Sequence, residues 1–227
     1  MRKKRRLLEL AKKYLPSKFI EYAMRVEGRS GEGIFYDEAD LWKRILNYRI
    51  AKYLQPRVIL ETHKGLGLST YLYRLASPNA KIISLSRWEK YTNSIPDNYV
   101  ELLDIDPFGQ PYKCLFAYFS KLRRDGVLLI TNGEIYQVVR GLRNVQFLKT
   151  DYKGRDAWRW VVEQYLPWLE EYTGMKVRFF YVYPTSVRVV LSSRPLPKHL
   201  FEGCPVWMGW LAKYAYRHYV SLDKFFA

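Results

Sequence analysis

Tyr99-Val100-Glu101-Leu102-Leu103-Asp104-Ile105-Asp106-Pro107-Phe108-Gly109-Gln110-Pro111 reads as a strand that stops abruptly. Residues up to Ile105 suit a pleated, half-buried segment. Pro107 then removes a ladder N–H and fixes its own φ, so pairing must end at the acid-proline-aromatic-glycine turn Asp106-Pro107-Phe108-Gly109. That break leaves Asp106, Phe108 and free backbone carbonyls at a carboxyl strand end, where open α/β sheets hold their ligands.

The flanking sequence supplies the rest of such a sheet. Upstream, Asp37 to Leu54 carries Leu41, Ile45, Ile50 and Leu54 in helical rhythm, with Asp37 as cap and Pro56 as stop. Arg57 to Glu61 is a short β-branched run, followed by the turn Thr62-His63-Lys64-Gly65-Leu66-Gly67 and a helix from Ser69 to Leu75. Lys81 to Ser86 and Val100 to Ile105 are further strands. A helix from Pro111 to Leu122 leads to a fourth strand, Gly126 to Ile130. This alternation predicts a mostly parallel sheet. Residues 133 to 150 read as a basic surface loop around Arg140, Arg143 and Lys149. A helix from Arg155 to Tyr172 precedes strands Lys176 to Tyr183 and Ser186 to Leu191, which only a Pro-Thr turn separates, so they form an antiparallel hairpin.

The chain has 227 residues, 48% of them hydrophobic, which suits one domain with appendages and a sizeable core. Its 38 Lys and Arg against 22 acids give a formal charge of +16, which points to a polyanionic partner; a salt-adapted surface is the bland alternative. Cys114, Cys204 and the three histidines His63, His199 and His218 lack zinc-ligand spacing, so no metal is expected. Leu7, Leu8, Leu10 and Ala11 alternate with Glu9, Lys12 and Lys13, so there is no apolar signal core. No segment reaches transmembrane length. The expectation is a cytoplasmic, soluble protein without membrane attachment; nothing indicates its oligomeric state.

An acid at a strand end followed by Gly-x-Gly lets backbone approach a ligand at a helix N-terminus. Here the pattern runs from Glu61 to Gly65 and Gly67, with His63 where a first glycine would stand. It is a poor dinucleotide fingerprint and a degenerate S-adenosylmethionine one. Glu61 as a helix cap and His63 as a packed loop residue remain the structural alternatives. For Asp106-Pro107 and Phe108 these are strand termination and core packing.

Gly33-Ile34-Phe35-Tyr36, Arg44, Val58-Ile59-Leu60-Glu61, Gly65-Leu66-Gly67, Asp104 to Pro111 and Gly126 to Thr131 together resemble, in order and spacing, the catalytic domain of the tRNA guanosine N2-dimethyltransferases. The resemblance covers residues 33 to 135 and centres on an Asp-Pro-Phe-Gly-Ser-Pro motif, here with Gln110. It implies an α/β, Rossmann-like methyltransferase fold closed by the carboxyl-terminal hairpin. It also implies S-adenosylmethionine as cofactor, with Phe35, Arg44, Glu61, Thr62, His63, Gly65, Gly67, Ser84 and Asp104 near it. Asp106, Pro107 and Phe108 would face an exocyclic base amine, guanine N2 first, in tRNA or another structured RNA. A carboxylate and a backbone carbonyl would accept the amine hydrogens and aim its lone pair, and Phe108 would stack on a flipped-out base.

The chain also departs from that family. Ile83-Ser84-Leu85-Ser86 offers hydroxyls where the second strand normally ends in the acid that holds the ribose, and residues 87 to 99 leave little room for the helix and third strand usual in such a fold. Trp88 or Tyr91 would replace the trimmed adenine pocket. The family's separate tRNA-recognition domain has no obvious equivalent in the residues after Pro195. Nucleic-acid contacts would fall to a basic helical extension, residues 1 to 32, with Arg2, Lys3, Lys4, Arg5, Arg6, Lys12, Lys13 and Lys18. An aromatic and basic helical tail, residues 196 to 227, carries Trp207, Trp210, Lys213, Tyr214, Tyr216, Arg217, His218 and Tyr219; Lys153, Arg155 and Arg159 sit beside Trp158 and Trp160. Each group also reads as a solvated face or as core packing. The methyltransferase domain is then 33 to 195, acting on RNA in preference to DNA. A DNA amino-methyltransferase acting on adenine N6 or cytosine N4 and a non-catalytic nucleic-acid binder on the same fold stand as alternatives.

Overall fold

A computed structural model describes residues 2–27, 35, 37–107, 109–206 and 208, with residues 2–5 described for their backbone only. Gly33, Ile34, Tyr36, Phe108, the side chains of Arg2, Lys3, Lys4 and Arg5, and the tail aromatics from Trp207 onward lie outside the described residues.

Six strands form one sheet in the order β2-β1-β3-β4-β6-β5. They are β1 (Val58–Glu61), β2 (Lys81–Ser84), β3 (Val100–Ile105), β4 (Leu122–Asn132), β5 (Lys176–Tyr183) and β6 (Ser186–Ser192). The first four run parallel, and β6 joins β4 antiparallel as the inner strand of the carboxyl-terminal hairpin. Because β1 lies between β2 and β3, the chain reverses its direction of progress there, opening a crevice beyond the carboxyl ends of β1 and β3. Residues 85–99, between β2 and β3, hold only two single helical turns, Trp88–Lys90 and Thr92–Ser94. The anticipated loss of one strand-helix unit is therefore present, and β2 is left as a half-buried sheet edge.

Helices α1 (Arg2–Tyr14) and α2 (Ser17–Glu27) are separated at Pro16, which cannot donate into a continuing helix. Their apolar faces are not an appendage: Leu7, Ala11, Leu15, Phe19, Ile20 and Ala23 enter the same buried core as the strands. Helix α3 (Glu38–Leu54) starts where the Asp37 carboxylate accepts the Asp40 N–H at 2.9 Å. Helix α4 (Leu68–Ala76) follows Gly67, whose φ of 76° suits a residue without Cβ. Helix α5 (Tyr112–Tyr118) is shorter than the 111–122 expectation because a 3-10 turn, Phe119–Lys121, tightens its end, and β4 then begins four residues earlier than expected.

The segment expected to be a loop after β4 contains helix α6 (Ile135–Val139), with Ile135 and Val138 buried. The helix expected over 155–172 is built from α7 (Ala157–Trp160), a π-turn at Val161–Tyr165 and α8 (Leu166–Thr173). Pro167 lacks the N–H that a regular helix would use, and the widened turn precedes it. Trp158 and Trp160 are buried here, which answers the core-packing alternative for them. Beyond β6, Phe201 stacks on Phe179 at 4.9 Å, and backbone bonds from Val182 N to Val206 O and from Met208 N to Val182 O cover the outer edge of β5.

Candidate active site

Sheet register places Ser84, Glu61 and Asp104 in one row across β2, β1 and β3, at their carboxyl ends. Parallel neighbours in register share a face, so these polar groups converge on the side covered by α3 and α4. The row divides into three environments.

Glu61 is 2% exposed. Its Oε2 accepts from the hydroxyls of Ser84 (2.7 Å) and Thr70. Burial, then the like charge of Asp104, push its pKa up to about 7, although the two hydroxyl bonds and Arg44 oppose the rise. Beside it lies a cavity of about 530 Å³ lined by Tyr22 of α2, Lys64, Leu66 and Gly67 of the glycine turn, Thr70, Tyr71 and Arg74 of α4, and Ile82 and Ser84 of β2. Tyr22 and Tyr71 stack at 4.0 Å.

Asp104, expected at the cofactor, is enclosed instead. Oδ1 receives Arg188 Nη2 at 2.7 Å, and Oδ2 receives Tyr73 OH at 2.6 Å and Asn47 Nδ2 at 3.0 Å. Arg188 also reaches Asn47 Oδ1 (2.7 Å) and Thr131 Oγ1 (2.8 Å). A buried carboxylate and guanidinium that desolvate together are tolerated only with such extensive pairing, which leaves the buried Arg188 Nε alone without a partner in this cluster, and the pair ties β3, β6, α3 and α4 together. Thr62, also fully buried, donates its backbone N–H and its hydroxyl to the Asp104 carbonyl at 3.0 and 3.2 Å. Thr62 Oγ1 also lies 2.7 Å from His63 Nδ1, a hydrogen bond that holds the ring against the strand end. Burial lowers the His63 pKa, so the ring stays neutral near pH 7.

Asp106 sits at the mouth. Lys43 of α3 donates to its Oδ2 at 2.8 Å and also contacts Asp40 at 3.2 Å; Arg44 pairs with Asp40 at 3.1 Å and with the Ser69 hydroxyl. Burial opposes ionisation of Asp106, but Lys43, Arg188 and Arg44 outweigh it and hold the carboxyl well below the ordinary range. Among the described residues nothing donates to Oδ1. The turn beyond is fastened from below: Gly109 has φ 108°, and Gly133 N donates to Gly109 O at 2.8 Å. A Cβ at Gly133 would lie 3.0 Å from Gly109 Cα, so the two segments approach this closely because position 133 is a glycine.

The structure thus brings Glu61, Thr62, His63, Gly67, Ser84 and Asp106 together; Gly65, at φ 50°, is exposed in the same turn. Phe35 is buried in the core, and Pro107 is half-buried beside Asp106. Lys12 and Lys13 lie apart on the exposed face of α1, Lys12 near Glu9 at 3.3 Å. Sequence reasoning passed over Lys43, Asn47, Thr70, Tyr73 and Arg188. One signal was available: an arginine inside Val187-Arg188-Val189-Val190-Leu191 must find a buried anion. Among the described residues no group of three or more His, Cys, Asp or Glu could hold a metal ion, and no helix is long and apolar enough to cross a membrane.

No family model and no curated protein matches this chain. Solved structures do. A Staphylococcus aureus protein ascribed as a caffeoyl-CoA O-methyltransferase superimposes with TM-score 0.54 and 15% identity, over 83% of this chain and 98% of that one. The O-methyltransferase TomG from Streptomyces achromogenes, in complex with SAM, gives 0.50 and 11% over 80% and 92%. Trm1 from Pyrococcus horikoshii, with S-adenosyl-L-methionine, gives 0.48 and 15% over 66% of this chain, which spans about half (53%) of that longer protein. The chain has the fold of the Rossmann-like methyltransferases. The narrower resemblance to the tRNA guanosine N2-dimethyltransferases rests on the sequence motifs.

Proposed function

We propose that the chain is an S-adenosylmethionine-dependent methyltransferase that modifies an exocyclic amine of an RNA base, guanine N2 foremost. The observation that carries this is Asp106: a carboxylate held ionised just beyond the carboxyl end of β3, one oxygen engaged by Lys43 and the other without a donor among the described residues, at the same end of the sheet as the glycine turn. The cavity fits the cofactor in size and chemistry. About 530 Å³ is within the usual range for a small-molecule site. The Ser84 and Thr70 hydroxyls suit a ribose, the Tyr22 and Tyr71 rings a purine, and Lys64 a carboxylate. When bound, S-adenosylmethionine supplies an electrophilic methyl on a sulfonium.

The protein's own groups then act on the acceptor. Asp106 Oδ1 accepts one amine hydrogen, which draws the nitrogen lone pair out of conjugation and fixes its direction. Lys43 keeps that carboxylate anionic and immobile. The proton lost by the methylated amine has two acceptors at this end of the sheet, Asp106 and the neutral His63 ring. The charge of +16 supports a polyanionic substrate.

The test combines calorimetric titration with S-adenosylmethionine and transfer of labelled methyl to RNA. Asp106→Ala is expected to bind cofactor normally and to lose transfer; turnover retained in this variant removes Asp106 from the role. One observation favours a second reading, a nucleic-acid binder without catalysis: Glu61 Oε2 is engaged by the protein's own Thr70 and Ser84, and serines stand where a ribose-binding acid is usual. Absence of cofactor binding by the folded protein would select it. Transfer to small phenols but not to RNA would instead align the chain with the O-methyltransferases of like fold.

A further inference from the structure

One surface is not used by the site just described. Phe116 of α5, Phe147 of the connection after α6 and Tyr172 of α8 are 44%, 45% and 39% exposed, yet they form one continuous aromatic surface. Tyr112 stacks on Phe147 at 3.9 Å, Phe116 lies 5.1 Å from Tyr172 and 5.9 Å from Phe147, and Trp168 stacks on Tyr172 at 5.3 Å. Contiguous exposed rings of this kind mark an interaction face.

The face is rigid and tied to the acceptor turn. Buried Glu134 accepts the backbone N–H groups of Phe147 and of Leu148 (3.2 Å) and the hydroxyl of Tyr112. Gln110, in the turn that follows Asp106, donates to Val145 O at 2.7 Å, Gln137 Oε1 at 3.0 Å and Glu134 Oε1 at 3.3 Å. The loop that presents Phe147 and the turn that presents Asp106 are therefore held by the same side chains.

Exposed cations accompany these rings along the chain, Lys113 one turn before Phe116 and Lys149 two residues after Phe147. Lys113, Arg140, Lys149, Lys153 and Arg155 are exposed and form no ion pair among the described residues, and Arg140 lies 5.1 Å from the Tyr136 ring centroid. Nearby acids are mostly neutralised: Asp151 pairs with Arg143 at 2.9 Å and Glu163 with Arg159 at 2.8 Å, leaving Asp156 and Glu171 exposed. Exposed rings with unpaired cations close by in the chain match the chemistry of single-stranded nucleic acid, where bases stack and phosphates are neutralised.

We propose that the aromatic face of α5, α8 and the segment carrying Phe147 is a stacking platform for single-stranded RNA adjoining the Asp106 turn. The proposal rests on the RNA reading above and adds where the strand docks. An unpaired segment laid on Phe147 and Phe116 would be held beside the mouth, so that the target base reaches Asp106 without the melting of a duplex.

The test is fluorescence anisotropy of the full chain with a labelled uridine oligoribonucleotide of about 12 nucleotides, and with a duplex of equal length. Phe147→Ala and Phe116→Ala are expected to weaken single-strand binding by about tenfold, to leave its salt slope unchanged and to leave cofactor titration unaffected. Phe116→Tyr is expected to bind as the parent does. Lys149→Ala is expected to flatten the salt slope by about one. Folded alanine variants with parental affinity overturn the platform and leave the methyltransferase reading standing. Variants whose only change is loss of self-association in sedimentation also overturn it, and give the face to a second copy of the chain. A parent protein that binds cofactor but no single-stranded RNA overturns both the platform and the RNA substrate.

Discussion

Replacing Glu61 by Gln tests the electrostatics of the strand row most directly. The carboxyl is held at about 7, against 4.5 for an unperturbed glutamate. A native pKa above the unfolded one means the folded protein retains a proton that the unfolded chain releases, so stability falls as pH rises from 4.5 to 7 and levels off above. A gap of about 2.5 pH units at roughly 1.36 kcal/mol each amounts to about 3 kcal/mol. Gln keeps an oxygen to accept from Thr70 and Ser84 but has no charge to bury, so this loss disappears. The variant should match the parent near pH 4 and exceed it at pH 8 by up to about 3 kcal/mol, or roughly 6–12 °C in Tm for a chain of this size. Thermal unfolding by circular dichroism at pH 4, 6 and 8, at constant ionic strength, measures the difference. A Tm gap independent of pH, or a less stable variant at pH 8, would refute the reasoning.

Arg188→Met should cost roughly 3–5 kcal/mol in urea unfolding, because Asp104 would remain buried without its cation; adding Asp104→Asn should recover part of the loss. A cost below 1 kcal/mol would mean that water or relaxation replaces the guanidinium. Lys43→Met removes a cation that depresses the Asp106 pKa, so the acid limb of the methyl-transfer rate should move to higher pH, with cofactor affinity unchanged; an unmoved limb would separate Lys43 from Asp106 function. Neutralising Arg2, Lys3, Lys4, Arg5 and Arg6 together should weaken RNA binding and reduce the dependence of log affinity on log salt by several units, whereas an unchanged slope makes α1 a structural element alone.

The open α/β reading came from local chemistry. Pro107 had to end a strand, Pro16 and Pro56 had to end helices, and a two-residue turn between apolar runs had to make a hairpin, whatever the rest of the chain did. The short distance between Ser86 and Val100 likewise determined that one strand-helix unit was missing. Where the local signal was mixed, tertiary contacts decided. Arg140, Arg143 and Lys149 made 133–150 look like a basic loop, but burying Ile135 and Val138 secures α6 within it. The cations of α1 suggested an extension, yet its opposite face is part of the core.

The candidate site divides in the same way. The sequence by itself determined that Glu61, the glycine turn and Asp106 would lie at strand ends, because those breaks depend on a few neighbouring residues. Only the tertiary structure decided what surrounds each carboxyl, since ionisation depends on partners distant in the chain. Asp104 and Asp106 are two residues apart, but Arg188, Tyr73 and Asn47 seal the first while Lys43 holds the second ionised at the mouth. The aromatic face is likewise absent from any one stretch of sequence, because its rings come from α5, α8 and the connection after α6 and meet only when those elements pack.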